Sequence, residues 1–344
     1  MNIKKSIIKN LNKCYSIAPF KFNNKNHFIV AAEKQDPCYL FDEFGKEIAT
    51  IWEEPGGTMS MVQVPNKENI FLATHKFYSP NDSKESKIVI VTKNEDNFEI
   101  KTLVSLPHVH RFDIITSGDT NYLIACTLKS GHEFKDDWNH KGKVYVAKLP
   151  DDLSQFDDNN QLELTILKED MLKNHGYYKI IDENIALISS DEGVFKFIPP
   201  KTENDNWEII QLLDIPASDA VLIDIDNDGK KELAVIESFH GDYISFYKEN
   251  NNKYELVYRY DKKAEFAHAI FGGYIYDKPV VIIGHRRGER NLILFEYDNG
   301  YKYSYIDTDC GPANVFKFTR NDGKEILIST NREIDEIAMY EFEK

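Results

Sequence analysis

The chain has 344 residues, of which 29% are charged, and its formal net charge is −15 at pH 7. This acidic balance argues against binding to nucleic-acid backbones or anionic membrane surfaces, because both need clustered Lys and Arg. No segment approaches the about 18 consecutive apolar residues of a membrane span, and the start of the chain lacks the apolar run of a signal peptide. We therefore expect a cytoplasmic protein without nucleic-acid or membrane partners.

The four cysteines are far apart in the sequence and form no CxxC pair; they are Cys14, Cys38, Cys126 and Cys310. A disulfide framework or a zinc knuckle normally shows closely spaced or paired cysteines. The spacing therefore predicts reduced thiols with structural roles.

A pattern of four short apolar runs recurs seven times along the chain. Its clearest copy is 217–260, where β-branched and aromatic runs are separated by Asp, Asn and Gly. Such runs predict antiparallel strands, and four strands in about forty to fifty residues is the length of one β-propeller blade. In chain order the predicted blades are 14–55, 56–107, 108–171, 172–216, 217–264, 265–309 and 310–344.

Each predicted blade has the same internal order. The second run is the most apolar, which is typical of a strand packed between two neighbouring sheets. The fourth run alternates polar and apolar residues, as a half-exposed edge strand does. Outside the clearest copy, the predicted first strands begin at Cys14, Thr58, His110, His175, His268 and Asn314.

The last blade has only three predicted strands, because the chain ends at Lys344 directly after the third. The missing strand has a counterpart near the other terminus, where IKKSIIKN begins at Ile3 with the pattern of an outermost strand. Pairing 2–11 with 310–344 would close a ring and remove an open sheet edge. The sequence therefore predicts a single all-β domain, a seven-bladed β-propeller of four-stranded antiparallel blades.

An acidic turn stands between the first and second strands of the fifth blade. Its D-x-D-x-D-G-x-x-E pattern consists of Asp224, Asp226, Asp228, Gly229 and Glu232. Alternating carboxylates around a Gly can surround Ca²⁺, with the carbonyl of Lys230 as a further ligand. The turn resembles the calcium loop of FG-GAP (VCBS-type) propeller repeats, and 321–323 resembles an eroded copy. The alternative is an Asx-rich turn without metal; either role is structural.

Nine of the ten histidines, all except His27, fall at the starts of first strands, at the ends of second strands or in the loops that follow. These segments lie at one end of a blade. Aligning the first strands by their apolar cores makes six positions equivalent, namely Thr58, His110, His175, Asp219, His268 and Asn314. Imidazole and carboxylate are donors for Zn²⁺, Mn²⁺ or Fe²⁺. We therefore predict a transition-metal site of His110, His175 and His268, with Asp219 as a possible fourth ligand; the alternative is a polar channel lining.

Further polar residues are predicted at the same end of the blades. His75, His240 and His285 are candidate general bases. Lys129, Arg286 and Arg332 are cations able to hold a carboxylate, a phosphate or a developing enolate, and Arg111 is a further candidate site residue just below the ring of six equivalent positions. The long loop 131–143 is a candidate lid. The alternative is a solvated charged rim.

The sequences HVHR (108–111) and DWNH (137–140), together with the DxDxDG turn, resemble the propeller part of fungal aldos-2-ulose dehydratase, a metal-containing sugar lyase. The resemblance implies β-elimination or isomerisation of a keto-sugar. In such a reaction a metal polarises a carbonyl and a nearby histidine removes the adjacent proton. The implied ligand is a small sugar-like molecule.

Two other functions remain open at this point. A metal-dependent hydrolase of lactonase or glycosidase type would use the same residues to activate water. A propeller without enzymatic activity would bind a protein or a glycan instead. Fold alone does not decide among the three, since propellers host all of them, and the sequence does not indicate an oligomeric state.

Overall fold

The structure is a computed structural model that describes residues 2–95, 97–180, 182–202 and 205–344. Within these residues the regular structure is β-strand, apart from one short 3₁₀ helix at Arg332–Ile334. Among the described residues, no helix has the length and apolar character needed to span a bilayer.

The strands of the first half of the chain begin with one that precedes the first repeat. They are β1 (Asn2–Asn10), β2 (Cys14–Phe22), β3 (Lys25–Ala32), β4 (Cys38–Asp42), β5 (Glu47–Trp52), β6 (Met61–Gln63), β7 (Ile70–His75), β8 (Lys87–Lys93), β9 (Phe98–Ser105), β10 (Val109–Ser117), β11 (Thr120–Thr127), β12 (Gly142–Leu149) and β13 (Thr165–Met171).

The strands of the second half continue the same rhythm. They are β14 (Gly176–Ile180), β15 (Ile185–Ser190), β16 (Gly193–Ile198), β17 (Glu208–Leu213), β18 (Ala217–Ile223), β19 (Glu232–Glu237), β20 (Tyr243–Asn250), β21 (Lys253–Arg259), β22 (Ala267–Ile275), β23 (Lys278–His285), β24 (Leu292–Tyr297), β25 (Tyr301–Asp307), β26 (Asn314–Thr319), β27 (Glu325–Asn331) and β28 (Glu336–Glu343).

These strands form seven four-stranded sheets, which is the seven-bladed β-propeller fold predicted from the sequence. Six sheets use consecutive strands: β2–β5, β6–β9, β10–β13, β14–β17, β18–β21 and β22–β25. The seventh has the order β1-β28-β27-β26. The predicted first strand of the fourth blade extends to Ile181, which lies outside the described residues.

The strand β6 is shorter than its repeat predicts, and a side chain explains the difference. The hydroxyl oxygen of Thr74 accepts the backbone N–H groups of Met59 (2.6 Å) and Ser60 (3.1 Å). These bonds replace part of the ladder to β7, so the regular pairing begins only at Met61.

The seventh sheet contains both the first and the last strand of the chain. β1 pairs antiparallel with β28, from Asn2 opposite Glu343 to Asn10 opposite Glu336. The ammonium group of Lys5 adds ion pairs to Asp307 (2.8 Å) and Glu336 (2.7 Å). The strand predicted from Ile3 onward is confirmed, and in β-propellers this pairing closes the ring.

The chain divides into two compact units, and residues of the fourth sheet belong to both. The N-terminal unit comprises Tyr15–Ala186 and Lys196–Ile210. The C-terminal unit comprises Met1–Cys14, Leu187–Phe195 and Gln211–Lys344.

Each unit has its own apolar core. In the N-terminal unit, one cluster joins Phe20, Leu40 and Phe71, all at most 1% exposed. In the C-terminal unit, Leu327 and Tyr340 pack in a cluster that partly buried Ile3 of β1 also contacts. The second strands are the most deeply buried, as predicted; every residue of β27 is buried, whereas β21 is mostly exposed.

Two isoleucines of β1 allow a test of how much this strand contributes to stability. Ile3 packs against the core of the seventh sheet, whereas Ile7 is 58% exposed. We expect Ile3→Ala to lower the free energy of unfolding by about 1–2 kcal/mol, less than a fully buried isoleucine would. The matched control Ile7→Ala should change it by less than about 0.5 kcal/mol. Urea unfolding measures both values, and equal effects would contradict a stabilising β1–β28 pairing.

Candidate functional site

The first strands of three blades share a β-bulge near their start. In β10, β18 and β22 the ladder to the second strand skips one residue, which is His110, Ser218 and His268 respectively. A bulge leaves the extra residue out of the ladder and changes the direction of its side chain. The bulges therefore position two of the predicted metal ligands, and both are buried.

The bulges correct the predicted register of the fifth blade. Ser218, not Asp219, occupies the position of His110 and His268, while Asp219 is equivalent to Arg111. All seven residues of β18 are buried. A continuous buried run gives no alternation from which a register can be read. The carboxylate of Asp219 accepts the N–H of Ala220 at 3.0 Å.

In the N-terminal unit, the structure brings two predicted ligands together. The imidazole rings of His110 and His175 have centroids 4.5 Å apart, and both side chains are almost completely buried. Phe77 lies edge-on to His110 at 5.1 Å. The neighbouring Arg111 donates to the backbone carbonyl of Met59 at 2.9 Å, so its guanidinium group binds the protein itself.

In the C-terminal unit, His240 and His268 form a second pair. Each offers a ring nitrogen within 4.8 Å of the other's. His240 is partly exposed, and its ring stacks between Phe239 (3.9 Å) and Phe266 (4.1 Å). Its backbone N–H donates to the hydroxyl of Ser218 at 3.2 Å. The bulge residue of β18 thus helps to hold the loop that carries His240.

The tautomer of His268 is fixed by its neighbour. Its Nδ1 lies 2.6 Å from the backbone carbonyl oxygen of Ala313. A carbonyl only accepts, so Nδ1 carries the hydrogen, and the lone pair of the neutral ring lies on Nε2. Histidines that bind metals are usually oriented in this way by a hydrogen bond from the other ring nitrogen.

His285, a predicted base, holds the loop between β23 and β24. Its Nε2 accepts the N–H of Asn291 at 3.0 Å, and its Nδ1 donates to the carbonyl of Arg287 at 2.9 Å. Burial lowers the pKa of His285. Since both ring nitrogens are already bonded within the loop, the geometry gives His285 a structural role, and its assignment as a base stays a prediction.

Arg286, a predicted anion-binding cation, is already paired. Its guanidinium group contacts the carboxylate of Glu333 at 2.7 Å and stacks on the ring of Phe266 at 4.8 Å. Burial opposes ionisation of Glu333, but Arg286 and Arg332 together lower its pKa. Phe266, which the sequence did not single out, contacts both His240 and Arg286 and so links the two predicted site residues.

His75, the third predicted base, is buried at the end of β7. It is 2% exposed and packs edge-on against Trp52 at 4.7 Å. Burial, followed by the charges of Lys87 and Lys76, lowers the pKa of His75 to about 3. The ring is therefore neutral at physiological pH, and it lines a cavity of about 370 Å³ in the N-terminal unit.

Lys129 anchors the predicted lid. It is completely buried, its ammonium group donates to the carbonyl of Asp137 at 3.1 Å, and it lies over the ring of Trp138 at 4.6 Å. Burial lowers the pKa of Lys129. The lysine predicted to bind substrate is thus bound to the loop 131–143 itself.

The nearby pair of Ser83 Oγ and His108 Nδ1, 2.8 Å apart, was not predicted, because the two residues are distant in sequence.

The carboxylates of the acidic turn bind backbone amides of the same turn. Asp224 accepts the N–H groups of Asp228 (3.1 Å) and Gly229 (2.9 Å), and Asp228 accepts that of Lys230 (2.9 Å). Carboxylate oxygens of Asp224, Asp226 and Glu232 lie within 4.8 Å of one another. Calcium at this turn stays a prediction.

The sequence reasoning missed the lysine that contacts this turn. The ammonium group of Lys248, on β20, lies 2.5 Å from Asp226, 2.9 Å from Asp228 and 2.6 Å from Glu232. The alternating apolar residues of β20 do not indicate that Lys248 contacts the acidic turn. It depends on the pairing of β19 with β20, which places the third strand beside the turn.

No protein-family model and no curated protein matches the chain. Solved structures do match it. The β-propeller domain of Cps50 (Swd1) from Myceliophteria thermophila is 8% identical, with a TM-score of 0.62 over 99% of this chain and 100% of that domain. Streptogramin B lyase is 14% identical, with a TM-score of 0.58 over 99% and 98%. A glucose dehydrogenase is 11% identical, with a TM-score of 0.53 over 99% of both chains.

At these identities the matches show the fold alone. They support the β-propeller assignment, which the seven sheets establish independently. The resemblances to FG-GAP repeats and to aldos-2-ulose dehydratase are not confirmed by them.

The buried His75 predicts a specific loss of stability in acid. Its pKa is about 3 in the folded protein, and an unfolded histidine has a pKa of about 6.5. Between these values the unfolded state binds a proton that the folded state does not. The free energy of unfolding should therefore fall as the pH drops below about 6.5, by up to about 1.4 kcal/mol per pH unit for this group.

Urea unfolding at several pH values, from about 7 to about 4, measures how steeply the free energy of unfolding changes with pH. His75→Gln should make this slope shallower by the contribution of one proton. His27→Gln, which changes a histidine that is not buried, serves as the matched control. Equal slopes in the wild type and His75→Gln would show that His75 is not held neutral.

Proposed function

We propose that this protein is a metal-dependent lyase or isomerase that acts on a keto-sugar or a related small carbohydrate. The observation that carries the proposal is the pair His240 and His268, whose ring nitrogens lie within 4.8 Å. His268 also has the tautomer of a metal ligand, because its Nδ1 is bonded to the carbonyl of Ala313.

The donors fit a divalent transition metal. In the C-terminal unit we assign His268 as a ligand, and in the N-terminal unit we assign the adjacent His110 and His175. Neutral imidazoles suit Zn²⁺, Mn²⁺ and Fe²⁺ better than Ca²⁺ or Mg²⁺. When bound, such an ion polarises a substrate carbonyl and makes the adjacent C–H acidic.

We assign proton abstraction to His240. It is the predicted base that is partly exposed, whereas His75 is 2% exposed and His285 is bonded at both nitrogens. Phe239 and Phe266 hold the His240 ring on both faces, and Ser218 holds its backbone, so the ring keeps one orientation. A base with a fixed orientation accepts a proton without first losing rotamer freedom.

Metal analysis tests the first part of the proposal. We expect purified wild-type protein to contain a divalent transition metal in near-stoichiometric amount, and His268→Ala to lose most of it. His27→Ala, in which a histidine that belongs to neither pair is changed, should keep the wild-type content. A wild type without transition metal after supplementation and dialysis would contradict the proposal.

A substrate assay tests the second part. With a panel of keto-sugars and anhydro-sugars, elimination produces an enone whose ultraviolet absorbance rises with time. His240→Gln should keep its metal and lower kcat by about 10²–10⁴-fold, the usual contribution of a general base. Turnover without an absorbance rise would indicate a hydrolase. Wild-type turnover in His240→Gln would contradict the assignment of the base.

A further inference from the structure

The acidic turn of the fifth sheet, 224–232, already contains a cation. The Nζ atom of Lys248 lies 2.5–2.9 Å from one carboxylate oxygen each of Asp226, Asp228 and Glu232. An ammonium group has three N–H donors and no acceptor. Asp226 accepts a hydrogen bond from the ammonium group, and all three carboxylates form ion pairs with it.

We propose that the ammonium group of Lys248 is the resident cation of this turn and takes the place of the calcium ion that an FG-GAP-like turn would bind. Calcium needs six to eight oxygen ligands at about 2.3–2.6 Å. Three carboxylates of the turn direct oxygens at Lys248 instead, and the positive charge of its ammonium group repels a second cation. The residues present thus do not fit a calcium ion while Lys248 is in position.

The remaining oxygens of the turn are also engaged. Both oxygens of Asp224 accept backbone N–H groups, from Asp228 and Gly229. The second oxygen of Glu232 accepts the N–H of Ile225 at 3.0 Å. The turn is held in its conformation by these bonds, so it does not need an ion to organise it.

The charge on Lys248 is secured by its partners. Burial opposes the charged form, but hydrogen bonds from the ammonium group to Asp226, Glu232 and Asp228 raise the pKa of Lys248 above its ordinary value. Glu232 is completely buried. Without Lys248 its carboxylate would be a buried charge beside other carboxylates, which is strongly unfavourable unless another cation enters.

The equivalent turn of the seventh sheet, 320–325, is also neutralised by side-chain cations of the chain. Glu325 begins the second strand there as Glu232 does in the fifth sheet, and the ammonium group of Lys317 lies 2.5 Å from it. Arg320 binds Asp322 through two hydrogen bonds of 2.9 and 2.7 Å. In both sheets, side-chain cations of the chain itself neutralise the acidic turn.

Calcium titration calorimetry and thermal unfolding test the proposal on the full chain. Wild-type protein should bind no Ca²⁺ at this turn, and its Tm should be the same in Ca²⁺ and in EDTA. Lys248→Gln removes the charge but keeps most of the side-chain volume. It should have a lower Tm in EDTA and should bind one Ca²⁺, with a Kd of about 10⁻³ M or tighter, and regain part of the lost Tm.

Lys302→Gln is the matched control, because Lys302 also lies on a β-strand and pairs with one exposed carboxylate, that of Asp298. It should gain no calcium binding. Lys248→Gln/Asp226→Asn should lose the calcium binding of Lys248→Gln. If Lys248→Gln does not fold, Lys248→Arg keeps a cation and should fold without binding Ca²⁺. Stoichiometric Ca²⁺ binding by the wild type, lost in Asp226→Asn, would overturn the proposal, as would a folded Lys248→Gln that binds none.

Discussion

The hydrogen-bond ladder between β1 and β28 joins residues from opposite ends of the chain in one sheet. Without it the seventh sheet would have three strands, and the backbone of β28 would be an unpaired edge. Side chains reinforce the ladder: Lys5 binds Asp307 and Glu336, and the hydroxyl of Tyr340 donates to Asp307 at 2.6 Å. The apolar core of this sheet, and the strands that pack on it, depend on that pairing.

A second local feature, the β-bulge, determines which side chains leave the ladder at the first strands. A regular ladder would give every residue a partner on the second strand and alternate the side chains between the two faces. The extra residue breaks this order at His110, Ser218 and His268. Bulges recur next to functional sites, where they redirect a side chain and bend the strand locally.

The strands were predictable because each is encoded locally. The second strands are continuous apolar runs, and the pattern IKKSIIKN was sufficient to predict β1 as the missing strand of the last sheet. The clustering of histidines was predictable too, since topology alone places first-strand starts together, and His110 and His175 do contact each other.

Features that depend on three-dimensional pairing were not predictable. The predicted register of Asp219 was wrong because β18 is buried throughout and shows no alternation of buried and exposed residues. The structural role of His285 depends on hydrogen bonds to Arg287 and Asn291 in a loop whose conformation the sequence does not specify. Lys248 reaches the acidic turn from another strand, so only the pairing of β19 with β20 reveals it.

The metal ligands that we propose are histidines positioned by these bulges, and not the carboxylates of the acidic turn. Crystals grown with Zn²⁺ or Mn²⁺, measured at the absorption edge of the metal, test this proposal directly through an anomalous difference map. We expect a peak at bonding distance from Nε2 of His268, about 2.0–2.3 Å, and none among Asp224, Asp226 and Glu232. A map with no peak at His268, or with its peak at the acidic turn, would contradict it.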